Sequence, residues 1–373
     1  MRLHHDLLDS AVKSARAFRA VAMKHPKRHL KRAVTAGVVC LVAIAATDFS
    51  VVQAAAQGSA KPQASAKYSA ATSQARKARL VQAEAAARAR EALANQPRTK
   101  IDAQGDTVPD VRAEAAIIYN PATNKVLWEV KAFDQRSIAS ITKVMTALCF
   151  LDEAPDMAQQ VVITAADIRG ASVTHLRPFE KVSLQNLLHL MLIASDNVAA
   201  RVIARVSPYG AAGFVVRMNQ KAAELGLAST SYADPSGLLA ENVSSAYDMA
   251  RLIAYAADDA LIASIMRTEA YSFRTSMRAV TIHSTNQLLR STGVDVRGGK
   301  TGFITQAGYC LATLLHLPDL DQTVAVVVLG AHSNAGRFSE TRNLLSWVTS
   351  KAQLLLGSHP GQPHDPATRP LPE

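Results

Sequence analysis

The β-prone stretches of this chain stand at the two ends of one long segment, with helical patterning between them, and that separation limits the folds open to it. Residues 115–119 and 126–130 are rich in apolar and aromatic side chains around Asn120-Pro-Ala-Thr-Asn-Lys125, a pattern that predicts a hairpin. Residues 308–317 and 323–330 form a second such pair near the other end. Between the pairs, residues 184–194, 211–225 (closed by Gly226), 245–257 and 261–268 read as helices. A last periodic segment, residues 338–355, places Leu344, Leu345, Trp347 and Val348 on one helical face. Strands at both ends and helices in the middle predict an α+β fold: one antiparallel sheet covered by helices, with a helical insertion.

The 373 residues ahead of, within and behind this segment differ in texture. Residues 24–32 form a basic run, and residues 33–47 are fifteen residues without a charge. Small residues come next at Ala54-Ala55-Ala56, so residues 1–56 read as a secretory signal or membrane-anchor leader. As a helix the uncharged run spans only ~22 Å, short of the ~30 Å hydrocarbon core, which favours cleavage over anchoring. A start at Met23 would give the leader ordinary proportions. Positive residues before the apolar run direct the downstream chain across the membrane, to a periplasmic or cell-envelope location, and a retained leader would attach the protein there.

Residues 57–110 are Ala-rich and basic, with no apolar face to bury, and read as a flexible, partly helical linker. Residues 111–356 would form the folded domain, and the tail 357–373, with five prolines, reads as disordered. Of the 41 Lys and Arg and 30 Asp and Glu, 18 and 8 fall in residues 1–110, which leaves 23 and 22, a net of +1, for residues 111–373. The overall +11 is therefore a property of the leader and linker, and it indicates no nucleic-acid partner. Cys40, Cys149 and Cys310 show no metal-ligand spacing, so neither a metal nor another cofactor is implied.

Three short strings carry the chemistry: Ser140-Ile-Thr-Lys143, Ser195-Asp-Asn197 and Lys300-Thr-Gly302. Singly they mean little, because Ser-x-x-Lys also occurs at Ser10-Ala-Val-Lys13 and Ser-x-Asn at Ser284-Thr-Asn286. Their order and setting mean more. Ser140 and Lys143 are one helical turn apart on a helix for which Ser137 is a suitable N-cap. A serine hydroxyl needs an adjacent base, and a buried lysine beside a second positive charge, here Lys300, can be one. The glycines around Lys300 let a substrate backbone approach a strand edge. His175, His189, His283, His316 and His332 are scattered, and no Gly-x-Ser-x-Gly or His-Glu-x-x-His occurs.

This ordered set resembles the active-site serine penicillin-recognising family. More closely, four stretches resemble the low-molecular-mass D-alanyl-D-alanine carboxypeptidases and endopeptidases: Arg136 to Ala147, Asp234-Pro-Ser-Gly-Leu238, Lys300 to Gly308 and Gly336 to Trp347. The resemblance implies a serine β-lactamase/transpeptidase-like fold and peptidoglycan stem peptides and cross-links as substrates, with β-lactams as covalent inhibitors. It implies that Ser140 attacks the D-alanyl carbonyl while Lys143 takes its proton, and that Ser195 and Asn197 relay a proton to the leaving amine and hold the substrate amide. Lys300, Thr301 and Gly302 would border the substrate, with Thr301 on its carboxylate and Arg337 contacting the same group. The N–H groups of Ser140 and Phe303 would form the oxyanion hole.

Glu224, Glu241 and Glu269 are the glutamates between the second and third strings, and none has Asn four residues on. A class A β-lactamase is therefore disfavoured, and a stable penicilloyl adduct is expected. The end of the domain soon after Trp347 resembles the endopeptidase type rather than the carboxypeptidases that carry a further β-rich domain. The competing reading from another class is a non-catalytic, envelope-located penicillin-binding scaffold.

Overall fold

The computed structural model describes residues 74–86, 89 and 98–356. The leader, the first part of the linker and the tail beyond residue 356 lie outside the described residues. Residues 74–86 are helical and exposed along their whole length, as a helix without an apolar stripe must be.

In chain order the elements are β1 (Thr99–Ile101), β2 (Thr107–Pro109), β3 (Ala115–Asn120), β4 (Lys125–Val130), β5 (Arg136–Ser137), α1 (Thr142–Leu151), β6 (Gln160–Val162), α2 (Ala165–Ile168) and β7 (Lys181–Ser183). Then come α3 (Leu184–Ile193), α4 (Asn197–Val206), α5 (Gly210–Glu224), β8 (Val243–Ser244), α6 (Ala246–Asp258), α7 (Ala260–Met266), β9 (Ala270–Arg274) and β10 (Ala279–His283). The chain closes with β11 (Asp295–Ile304), β12 (Gly308–Leu317), β13 (Gln322–Ala331), α8 (Asn334–Ser350) and α9 (Ala352–Leu356).

The two terminal hairpins do meet. Five strands in the order β11-β12-β13-β3-β4, all antiparallel, form the central sheet. Successive side chains of a strand point to opposite faces, and here both faces are dry. Ala115, Ile117, Val327 and Leu329 join the core on the side of the helical insertion, while Ala116, Ile118, Val326 and Val328 join the core under α8. This double burial is why β13 reads as the unbroken run Val-Ala-Val-Val-Val-Leu instead of alternating. On α8, Leu344, Trp347 and Val348 are buried in the second core and Leu345 packs against it, as the periodicity predicts.

Two sequence expectations need correction, and one hairpin comes without a prediction. Residues 98–110, assigned to the linker, are folded: β1 pairs with β2, Arg98 N donates to Asn343 Oδ1 (2.7 Å), and Trp347 Nε1 donates to Thr107 O (2.9 Å). Those contacts involve main-chain groups and side chains some 240 residues away, so no local pattern announces them. Ser137 is not an N-cap; it lies in β5, which pairs with β8, and a 3₁₀ turn at Ala139–Ile141 leads into α1. The β9–β10 hairpin has no turn signal in the sequence, because its turn contains neither Gly nor Pro, although Phe273, Val280 and Ile282 are buried in alternation. Among the described residues no helix is long and apolar enough to cross a membrane.

Candidate active site

Ser140 is the middle residue of the 3₁₀ turn that joins β5 to α1. Its predecessor Ala139 takes a left-handed backbone (φ 48°), fixed by Thr142 Oγ1, which donates to Ala139 O (2.7 Å). This bend aims the Ser140 hydroxyl at Lys143, whose side chain is fully buried beneath it. Lys143 Nζ lies 2.8 Å from Ser140 Oγ, 2.7 Å from Asn197 Oδ1 and 2.5 Å from Ser236 O.

Those three neighbours are not equivalent. The amide and peptide oxygens can only accept, so each takes one N–H of the lysine, whereas a hydroxyl can either accept or donate. A neutral amine with two N–H groups so engaged turns its lone pair to Ser140 Oγ. The neutral form is within reach, because burial pulls the Lys143 ammonium down to about 7; Asp234 and Asp196 oppose that shift and Arg201 adds to it. The sequence alone points to Lys300 as the like charge acting on Lys143. The structure gives that part to Arg201, and it is Lys300 that Lys143 helps to push down.

The second string joins two helices. α3 ends at Ile193, Ser195 takes a left-handed backbone (φ 61°), and Asp196 caps α4 by accepting from Ala199 N (3.0 Å). Ser195 is thereby lifted out of both helices and Asn197 is set on the first position of α4, facing Lys143. Asn197 Nδ2 donates to Ser172 Oγ (3.3 Å) on the preceding loop.

The third string lies on β11, the edge strand whose outer side leaves alternate backbone groups free for a substrate. Lys300 is buried at 1% exposure, and its Nζ donates to Ser195 Oγ (2.7 Å) and Thr301 O (2.9 Å). Burial first, then the charges of Lys143 and Arg337, hold Lys300 well below the usual lysine range. Thr301 Oγ1 is 2.6 Å from Thr285 Oγ1, so the stretch Ser284-Thr-Asn286, a chance match to the second motif, abuts the third. A methyl group at Gly302 would come within 2.7 Å of Ile138 O and 3.1 Å of Ser140 N, so the strand closes on the serine only because this residue has no side chain. Phe303 comes next on the rim, half exposed and stacked on Tyr309 at 4.2 Å.

Arg337 stands differently from the expectation of a direct substrate contact. It is 6% exposed, and its guanidinium donates to Gly302 O (2.9 Å), Cys310 O (3.2 Å) and Asn334 Oδ1. It braces β11 and β12 from α8, with its Nη donors turned to protein acceptors.

Residues 234–242, which the motifs alone assign no role, supply the remaining wall. Asp234 accepts from the N–H groups of Ser236, Gly237 and Leu239 and from Asn242 Nδ2, which knits the loop. Burial pushes the Asp234 carboxyl up, and these donors, led by the Ser236 hydroxyl, more than offset it. The loop presents Ser236 O to Lys143 and sets Gly237 (φ 78°) against the serine turn, where an added methyl would sit 2.1 Å from Ala139 O. A backbone carbonyl has no sequence signature; the Asp-Pro-Ser-Gly turn composition was the available signal.

The three strings thus meet around one hydroxyl, on a sheet edge walled by helices. Residues 102–333 match the family model described as D-alanyl-D-alanine carboxypeptidase, peptidase family S11. The chain belongs to this family. It is a serine-type peptidase of a group that holds both endopeptidases and carboxypeptidases. It is 32% identical over 236 residues to the D-alanyl-D-alanine endopeptidase of Haemophilus influenzae, covering 62% of this chain and 80% of that protein. It is 32% identical over 247 residues to the D-alanyl-D-alanine carboxypeptidase DacF of Bacillus subtilis, covering 64% of this chain and 62% of that one. The crystal structure of the Streptomyces K15 DD-transpeptidase superposes with a TM-score of 0.62 at 27% identity, covering 66% of this chain and all of the other.

Proposed function

We propose that this family member hydrolyses D-alanyl bonds of peptidoglycan through an acyl-Ser140 intermediate, and that penicillins acylate the same oxygen. The observation that carries this reading is the buried Lys143 amine, 2.8 Å from Ser140 Oγ with two other acceptors already fixed on it. Ser140 Oγ attacks the carbonyl of the penultimate D-alanine while its proton passes to Lys143. The oxyanion that forms is held by the N–H groups of Ser140 and Phe303, where loss of one donor costs ~10²–10³ in rate. The C–N bond then breaks. The departing nitrogen takes its proton by way of Ser195 Oγ, which Lys300 orients, and Asn197 Nδ2 holds the substrate amide after leaving Ser172. Thr301 Oγ1 receives the terminal carboxylate, beside the Lys300 amine that also donates to Thr301 O. The proton on the departing nitrogen is the one Lys143 took from Ser140, so Lys143 is again an amine. Water then attacks the acyl carbonyl while losing a proton to Lys143, the ester C–O bond breaks, and Ser140 Oγ takes the proton back from Lys143.

We infer a preference for cross-links over free stem peptides. In its support, the similarity reaches across 80% of the Haemophilus endopeptidase but only 62% of the Bacillus carboxypeptidase. The basic run and uncharged stretch at residues 24–47 support export to the cell envelope. Purified muropeptides test the preference: conversion of cross-linked dimers to monomers supports it, and release of D-alanine from monomeric pentapeptide with dimers left intact refutes it. Mass spectrometry of the mature N-terminus tests export.

A further inference from the structure

The turn that carries Ser195 and Asn197 is held from one side by residues 172–175. Asn197 N donates to Val173 O (3.1 Å), Asn197 Nδ2 to Ser172 Oγ (3.3 Å) and His175 N to Asp196 Oδ2 (2.6 Å). His175 Nδ1 lies 3.4 Å from that same oxygen, buried and without a hydrogen-bond partner of its own. Asp196 is fully buried, and its other oxygen caps α4. One oxygen of a single carboxylate therefore starts the helix that aims Asn197, and the other faces an imidazole. Arg278 fixes His175 from behind by donating to its carbonyl, and is itself paired with Glu180 (2.8 Å).

The charge on Asp196 matters to the chemistry. Asp196 and Asp234 both favour the ammonium form of Lys143, while Arg201 favours the amine. A positive imidazole 3.4 Å from Asp196 would cancel part of that field.

We propose that His175 is a positioning residue for this reaction, holding the turn of Ser195 and Asn197 through Asp196 and, when charged, offsetting the part of the Asp196 charge that keeps Lys143 protonated. The charged groups that touch it or its partners are Asp196 on the turn, Arg278 before β10 and, through Arg278, Glu180 before β7; Arg201 on α4 acts with Asp196 on Lys143 of α1. The inference rests on the reading of Lys143 as the proton acceptor.

The test is the rate at which a fluorescent penicillin labels the purified full-length protein from about pH 5 to about pH 9, where the acid limb reports the essential base. His175→Gln should move the acid limb to higher pH, slowing labelling about threefold to tenfold near pH 6 while leaving it close to wild type near pH 8.5. His175→Lys, which keeps a positive charge, should hold the limb in place or lower it. Asp196→Asn should lower it and make a further His175→Gln change without effect on it. A His175→Gln profile that keeps the wild-type limb or falls by the same factor at every pH, or a His175→Lys limb that moves to higher pH, overturns the proposal. If His175→Gln does not fold, His175→Lys and Asp196→Asn decide: an unmoved or raised limb in Asp196→Asn overturns it equally. Absence of label on the wild type at every pH would instead sink the acyl-enzyme mechanism.

Discussion

Lys143 must be an amine at the moment Ser140 gives up its proton, and its surroundings are arranged for that. Its pKa is drawn from 10.5 to about 7 by burial, so the reactive form is lost as pH falls through 7. Acylation by penicillin should therefore be flat above about pH 7.5 and fall about tenfold per unit below about pH 6.5, read by stopped-flow fluorescence. Lys143→Arg stays charged at every accessible pH and should label at least ~10²-fold more slowly. Gly237 is a second decisive residue. A methyl there would lie 2.1 Å from Ala139 O, so Gly237→Ala must push the serine turn away from Lys143. That variant should lose acylation by ~10²-fold or more while keeping the circular dichroism of the wild type. That Ser140, Lys143, Ser195, Asn197 and Lys300 come together was legible in the sequence because they form ordered strings. Ser236 was not, since it contributes a carbonyl, and neither was His175, whose partner lies 21 residues away.

At the scale of elements, sequence patterns found the strands of the central sheet and the helices α1, α3, α5, α6, α7 and α8, all of which bury apolar residues. Elements held by distant or main-chain contacts escaped. The β1–β2 ribbon is short and mostly exposed, and it is fastened by Arg98 to Glu340 (2.6 Å) and by the indole N–H of Trp347 to Thr107 O. Trp347→Phe removes that donor and should cost about 1 kcal/mol in urea unfolding, with penicillin labelling unchanged, because the ribbon lies on the α8 side of the sheet. Helix α4 was missed for another reason. Its cap, Asp196, sits inside the second string, where a chemical reading displaced the capping one. One residue here begins a helix and separates two functional side chains.

At the scale of the molecule, the sheet is buried between two cores, and the site forms where its open edge, β11, meets the helices of the insertion. The position is set by the order of strands. Among the described residues β11 pairs with no strand on its outer side, so a substrate backbone can lie along it, while Lys300 and Lys143 are drawn underneath into the dry interior. No Glu-x-x-x-Asn segment accompanies the site, and the acyl-enzyme formed from penicillin should persist for many minutes, as repeated gel fluorescence after removal of free penicillin would show. Mass spectrometry of the intact protein after incubation with benzylpenicillin tests the central claim most directly. The account predicts a single adduct of one penicillin per chain, mapped to Ser140 and absent from Ser140→Ala; an unmodified wild type, or an adduct that survives Ser140→Ala, would contradict it.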